Sequence, residues 1–251
     1  MSETHTETHY GPRAADYVTS LVHATGADLT RIAALLGGHK GWSVLDLGAG
    51  GGHVSYAAAP HVARVTAADV TAPMLATIMA EARARGFENI ETIKAGAENL
   101  PFESGCFDAV LCRFSAHHWG DWRSGLREAR RVLKPGGLAL FIDTTAPAAP
   151  RLDSHLQTIE LLRDPTHGRN YTISEWISEL ARAGFSLTAS QSWKLRMEFP
   201  VWTARTKTPD LLVAALRHVQ ANAPDEVKTH FAITPDGSFD LDVALFELTT
   251  A

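Results

Sequence analysis

The chain has 251 residues, 45% apolar and 20% charged, with 23 Lys and Arg against 28 Asp and Glu for a formal net charge of −5. That is enough apolar side chain for one sizeable core, and it excludes collagen-like, low-complexity and membrane-embedded classes. No Lys/Arg cluster is dense enough to neutralise a phosphate backbone or an anionic membrane surface, so neither nucleic acid nor a membrane is an expected partner.

Residues 1–9 (MSETHTETH) are polar and read as a disordered tail. From Pro12 to Leu36 apolar residues return at helical spacing, broken at Gly26 and ended by Gly37-Gly38, which predicts two helices. Residues 42–47 form a short apolar run that predicts a buried strand, followed by a strand over 64–69 and a helix over 71–85. Further strands are predicted over 89–95, 107–114 and 137–143. Asp121 is placed to cap a helix whose stripe of Trp122, Leu126, Ala129 and Leu133 ends at Lys134-Pro-Gly-Gly. Residues 144–150 read as a linker, then come a helix over 152–163 and another that Ser174 would cap, with Trp176, Ile177 and Leu180 inward. Strands over 185–194 and 239–247 bracket one helix opened by Thr208-Pro209.

Strands alternating with helices of this length predict an α/β fold, a doubly wound parallel sheet whose ligands bind beyond the carboxyl ends of the strands. Two cysteines, Cys106 and Cys112, suit a reducing cytoplasm, and no apolar run reaches 18 residues. The spacing Cys106-x5-Cys112 is wrong for zinc, and no pair of closely spaced carboxylates sits by His117, so no metal is expected.

The strongest local feature is Asp46-Leu-Gly48-Ala49-Gly50-Gly51-Gly52, after the first strand and before a short helix. Glycines there let backbone approach a ligand and leave amides free at a helix N-terminus. Counting from Gly48, a dinucleotide loop wants glycine at the sixth position, which here is His53. The spacing Gly48-x-Gly50-x-Gly52 fits a nucleoside-binding loop instead. Asp69 closes the second strand, where a carboxylate can accept both hydroxyls of an adenosine ribose.

Together with Val44 to Gly52, the segments Asp69-Val-Thr-Ala-Pro-Met74, Gly96-Ala97-Glu98-Asn-Leu-Pro-Phe102, Phe107-Asp108-Ala-Val110, His117-His118 and Leu133-Lys-Pro-Gly-Gly137 resemble the class I S-adenosylmethionine-dependent methyltransferases. Within that class the resemblance is to the ubiquinone/menaquinone C-methyltransferase branch. It extends weakly to Tyr10-Gly-Pro-Arg13 with Tyr17, and to Arg163 through Tyr171. It implies a Rossmann-like seven-stranded sheet with the last strand antiparallel, a cofactor core over 41–145, N-terminal lid helices over 10–40, and acceptor-lobe helices with the two final strands over 146–251. It implies S-adenosyl-L-methionine as cofactor and S-adenosyl-L-homocysteine as product. Asp46, Gly48, Ala49, Gly50 and Gly52 would surround the methionine part, Asp69 would hold the ribose, and Val70 and Met74 would flank adenine. Gly96, Ala97 and Glu98 would lie along the adenine edge, with the main chain at Arg113 facing the amino group. The family usually carries an acid where this chain has Gly96, so one partner of the adenine amino group is missing.

Methyl transfer needs a nucleophile held in line behind an electrophilic carbon, and a base only when the acceptor must lose a proton. His titrates near neutrality, and His118 and His117 follow the fourth strand at the ligand end of the sheet. In a continuing strand the two would face opposite ways, and the sequence points to His118 first. Tyr10, Tyr17, His23, His167, Arg169 and Tyr171 are further acceptor-side candidates. Arg163, Arg169 and Arg205 could bind a carboxylate or phosphate on the acceptor. The expected function is methyl transfer to a small molecule, such as the carbon of an aromatic or quinone-like compound. A binding protein that keeps the cofactor without transferring methyl, and a nicotinamide-dependent oxidoreductase, are the alternatives.

Overall fold

The computed structural model describes residues 26–250. In chain order these are α1 (Ala27–Leu36), β1 (Ser43–Leu47), α2 (His53–Ala58), β2 (Arg64–Asp69), α3 (Ala72–Ala84), β3 (Ile90–Lys94), β4 (Phe107–Arg113), α4 (Trp122–Val132), β5 (Leu133–Ala146), α5 (Pro150–Arg163), β6 (Tyr171–Thr172), α6 (Ile173–Arg182), β7 (Phe185–Met197), α7 (Phe199–Arg205), α8 (Asp210–Ala221), α9 (Asp225–His230) and β8 (Phe239–Thr250). Among these residues no helix is long and apolar enough to cross a membrane.

Seven strands lie in the order β3-β2-β1-β4-β5-β8-β7, and the two-residue β6 pairs with β5 off that path. Neighbours from β3 to β5 are parallel, and β8 is antiparallel to both β5 and β7. The apolar runs of the central strands follow from burial on both faces. Leu45 and Leu47 of β1, Val110 and Cys112 of β4, and Phe141 of β5 join one core with Trp122, Leu126 and Ala129 of α4 and Trp176 of α6. Their neighbours Val44, Ala109, Leu111, Leu140 and Ile142 join the opposite core with Ile32 and Leu36 of α1 and Leu75, Ile78 and Ala82 of α3. Successive side chains point to opposite faces, so each strand feeds both layers. A third core forms a helical lobe, where Leu156 and Ile159 of α5 meet Phe199 and Trp202 of α7, Leu216 of α8 and the ends of β7 and β8.

Several local expectations change. The supposed linker over 144–150 begins as strand: β5 runs on to Ala146, and Thr144 and Thr145 are buried. Thr172 rather than Ser174 caps α6, through a capping box in which Thr172 and Glu175 satisfy each other's backbone amides. Ile177 turns outward, 39% exposed. Between β7 and β8 there are three helices where the sequence predicted one, because α7 and α9 are too short for a helical period to show. The first helix predicted within 12–36 lies outside the described residues, and α1 is the second.

Gly48 has φ 70, and a Cβ there would lie 1.9 Å from Ser115 Oγ and 2.6 Å from Ser115 Cβ, so the loop after β1 presses on the turn after β4. Gly86 has φ 76 with nothing within 4 Å. Gly86→Ala should therefore lose about 1–2 kcal/mol for its left-handed backbone alone. Gly48→Ala should lose that and about 1–3 kcal/mol more for overpacking. Urea unfolding of the two variants checks the difference, and equal losses would contradict the contact.

Candidate functional site

The carboxyl ends of β1 to β5 meet at one edge of the sheet, and a cleft opens there at the point where strand order reverses between β2 and β4. It encloses about 1230 Å³ including its open mouth, and one wall is formed by Gly48, Gly50, Asp69, Val70, Met74, Ala97 and Glu98. Ser115, His117, His118 and Trp119 line its middle, and Glu160, Arg163, Leu195, Met197, Trp202, Arg205 and Leu241 its far end.

At the first wall, Asp69 Oδ2 accepts the Gly50 amide at 2.9 Å and Oδ1 the Thr71 amide at 2.8 Å. One carboxylate thus fixes both the glycine loop and the start of α3. Thr71 occupies the N-cap position of α3 without a side-chain cap bond. Burial pushes the Asp69 carboxyl up, against the amides that favour its charge. Gly48, Gly50 and Gly52 all have positive φ, which suits the loop to glycine. Glu98 Oε1 accepts the Gly120 and Asp121 amides at 2.7 and 3.1 Å, tying this wall to the start of α4, which Asp121 caps through the Ser124 amide.

Asp46 lies behind the wall, 1% exposed, with Oδ2 accepting from Ser55 N at 3.0 Å and Ser55 Oγ at 2.6 Å. It holds α2 in place and does not line the cleft. Ala49, Gly52 and Gly96 likewise do not line it, and Arg113 turns its guanidinium to Asp28 at 2.5 Å, both side chains buried. Phe114, next in the chain, has φ 51, an unusual conformation for a bulky residue that turns the chain out of β4 toward the cleft.

The histidines depart from the sequence reading in one respect. Residues Ala116–His118 form a 3₁₀ turn rather than continued strand, so both His117 and His118 line the cleft, with ring centroids 4.2 Å apart. His117 Nδ1 lies 2.5 Å from Oδ1 of Asp143, itself 1% exposed, and the His117 amide donates to Asp143 Oδ2 at 3.2 Å. Burial opposes charge on His117, but the Asp143 carboxylate and the hydrogen bond to it outweigh burial and raise its pKa above the ordinary imidazole value. His118 Nδ1 donates to the Thr166 carbonyl at 3.0 Å, and burial, then the neighbouring His117, lower its pKa to about 4. His167 lies behind this pair, 5.8 Å from His117 between ring centroids, with Nε2 3.0 Å from Gln157 Oε1. Its pKa falls to about 2, through burial and then its two imidazole neighbours. The cluster therefore holds one imidazole suited to carry a proton near neutrality and two that stay neutral.

Arg169 pairs with Asp153 at 2.9 Å, and Tyr171 stacks on Trp122 at 3.7 Å between ring centroids, so neither lines the cleft. Tyr10, Tyr17 and His23 lie outside the described residues. Sequence reasoning missed Asp143 and Glu160; an acid ending the apolar run Ala139-Leu-Phe-Ile-Asp143 was the available signal for the first. Among the described residues no cluster of three His, Cys, Asp or Glu is arranged to hold a metal ion.

Burial pushes Asp46 up to about 7, against its hydrogen bonds from Ser55. A carboxyl raised on folding costs stability as pH rises above its unfolded value near 3.9, with the full cost reached above the folded value. The melting temperature of Asp46→Asn minus that of the parent should grow from pH 5 to pH 8 and then level off. A difference flat across this range would contradict the assignment.

A profile of the family described as "Methyltransferase domain" matches residues 45–141. An uncharacterized Escherichia coli protein, YafE, is 42% identical over 78% of this chain and 95% of its own length. The Bacillus subtilis protein YcgJ, described as an uncharacterized methyltransferase, is 34% identical over 91% of this chain and 90% of its own length. Its crystal structure superposes with a TM-score of 0.86 at 32% identity, covering 89% of this chain and 98% of that one. A ubiquinone/menaquinone biosynthesis C-methyltransferase from Brucella abortus is 36% identical over 45% of this chain and 44% of its own length.

Proposed function

The chain belongs to the class I S-adenosylmethionine-dependent methyltransferases, and from that premise we propose that it transfers the methyl group of S-adenosylmethionine to a small-molecule acceptor, with His117 as the base when the acceptor must lose a proton. The observation that carries this reading is a single cleft joining the glycine loop and Asp69 to half-buried His117 on buried Asp143.

The residues present fit the cofactor. A Cβ added at Gly50 would meet nothing within 4 Å, so the loop faces open space beside the Asp69 carboxylate. Asp69 would accept the ribose hydroxyls, Gly48 and Gly50 would admit the methionine part close to backbone, and Val70, Met74 and Ala97 would flank adenine. Gly96 offers no carboxylate to the adenine amino group, which leaves that end of the site to backbone and to Glu98. The bound cofactor supplies an electrophilic methyl carbon on a positively charged sulfur. The protein's part is to hold the acceptor in line and to exclude water, which together can contribute about 7–11 kcal/mol.

Asp143 accepts the Nδ1 proton of His117, leaving Nε2 with the lone pair a base needs. His118 already donates through Nδ1 to a carbonyl, and its low pKa makes it the weaker base. The resemblance to the Brucella ubiquinone/menaquinone biosynthesis C-methyltransferase supports carbon of an aromatic or quinone-like compound as the accepting atom. If the cofactor binds in equimolar amount and no acceptor yields S-adenosylhomocysteine, the absent acid at Gly96 favours a binding protein instead.

Isothermal titration with S-adenosylhomocysteine should give one site per chain, and Asp69→Ala should weaken it by about 10- to 100-fold, the loss of hydrogen bonds to a charged group. No binding at millimolar ligand would overturn the reading. With a proton-bearing acceptor, kcat/KM should rise with pH through one ionisation above about 6.5 and then level, because the raised His117 must first lose its proton. Asp143→Asn should move that limb to lower pH, and His117→Gln should lower the plateau on the order of a hundredfold or more. Profiles unchanged in both variants would remove His117 from the reaction.

A further inference from the structure

The far end of the cleft has a chemistry that cofactor binding does not use. Arg163 and Arg205 are the last residues of α5 and α7, and both line this end. A helix C-terminus favours a cation there, but it does not explain why two guanidinium groups from different helices converge on one cavity.

Arg163 is buried, 8% exposed, and its orientation is fixed. Its Nε donates to the Trp202 carbonyl at 3.1 Å, and its guanidinium carbon lies 5.1 Å from the centroid of the Trp202 ring. Its own carbonyl accepts from Thr208 Oγ1 at 3.1 Å, and Thr208 Oγ1 lies 2.8 Å from Thr206 Oγ1. The end of α5 and the chain just after α7 are therefore one hydrogen-bonded unit, so the backbone positions that carry the two arginines keep a fixed relation. The same part of the cleft is lined by apolar side chains, Leu195, Met197, Leu241 and Trp202.

Among the described residues lining the cleft here, Glu160 places Oε2 3.6 Å from Arg163 Nη1. Burial raises the Glu160 pKa, against Arg163, His117 and Arg205, which favour its charge. Planar guanidinium groups at the end of an apolar slot match an oxyanion carried on an apolar body, because their forked donors pair with carboxylate or phosphate oxygens. His117 lies between this wall and Asp69, at the middle of the same cleft.

Resting on the methyl-transfer reading, we propose that the acceptor is an anionic amphipathic small molecule, with a carboxylate or phosphate held by Arg163 and Arg205 and an aromatic or aliphatic body against Leu195, Met197, Leu241 and Trp202. Its accepting atom would lie between that body and the glycine loop, beside His117. The anchor selects the acceptor and takes no part in the chemical step.

The test uses the full chain saturated with S-adenosylhomocysteine and titrated with three matched probes, 2-naphthoate, 2-naphthyl phosphate and the neutral 2-naphthamide. At least one anion should bind about tenfold or more tighter than the amide, and the two anionic arms separate carboxylate from phosphate recognition. Arg205→Gln should erase the preference while S-adenosylhomocysteine affinity stays within about twofold, and Arg205→Lys should restore part of it. Arg163→Gln should do the same as Arg205→Gln, and the cofactor titration shows whether each variant has folded. Equal binding of amide and anions, no probe binding at millimolar concentration, or an anion preference that survives Arg205→Gln would each overturn the proposal. Loss of S-adenosylhomocysteine binding in the parent would instead overturn the methyl-transfer reading.

Discussion

The constraint on which the rest depends is burial of the central strands on both faces. A strand covered by helices above and below has no room for an unpaired charge along its length. The acids of β1, β2 and β5 accordingly stand at or near the carboxyl edge, as Asp46, Asp69 and Asp143, and each is engaged at once by an amide, a hydroxyl or an imidazole. Asp108, at the opposite end of β4, is instead taken up by Lys134 at 2.6 Å and the Ser43 amide at 2.8 Å. The sheet thus sorts polar groups to its two edges, and its topology opens one edge into a cleft.

Different parts of the chain then take different tasks. The parallel half of the sheet builds a wall of glycine backbone and one carboxylate, suited to a nucleoside. The antiparallel pair β7 and β8 carries apolar side chains past that edge, and α5 and α7 close the far end with two guanidinium groups. The 3₁₀ turn bearing His117 lies between them because the chain leaves β4 through the left-handed Phe114. The contact of Gly48 with Ser115 couples the loop of the first wall to that turn, so the glycine loop and the turn bearing His117 are built as one unit.

The sequence was informative where a residue's role is local. The glycine loop, Asp69 and the apolar runs of the buried strands could be read because backbone freedom and burial on both faces are written in neighbouring residues. Asp121 as a cap belongs to the same class. The relation between His117 and Asp143 spans 26 positions, and nothing local indicates that β5 would bring that acid beneath the turn. The expectation that only one of His117 and His118 faces the cleft rests on strand geometry, which the 3₁₀ turn after Phe114 removes. The cap of α6 was misread because Thr172 and Ser174 are equally good capping types, and only the reciprocal bond to Glu175 separates them. The short helices α7 and α9, which complete the far wall and the lobe behind it, hold too few residues for a period to show.

The most direct test follows the methyl carbon itself. The protein, S-adenosylmethionine labelled with carbon-13 in its methyl group and a small-molecule extract are incubated together, and products are resolved by carbon NMR and mass spectrometry. The account predicts that the label moves into a small acidic molecule in amounts equal to the S-adenosylhomocysteine formed, and that Asp69→Ala slows both together. Label that stays on the cofactor, or that appears in protein or nucleic acid instead, would contradict it.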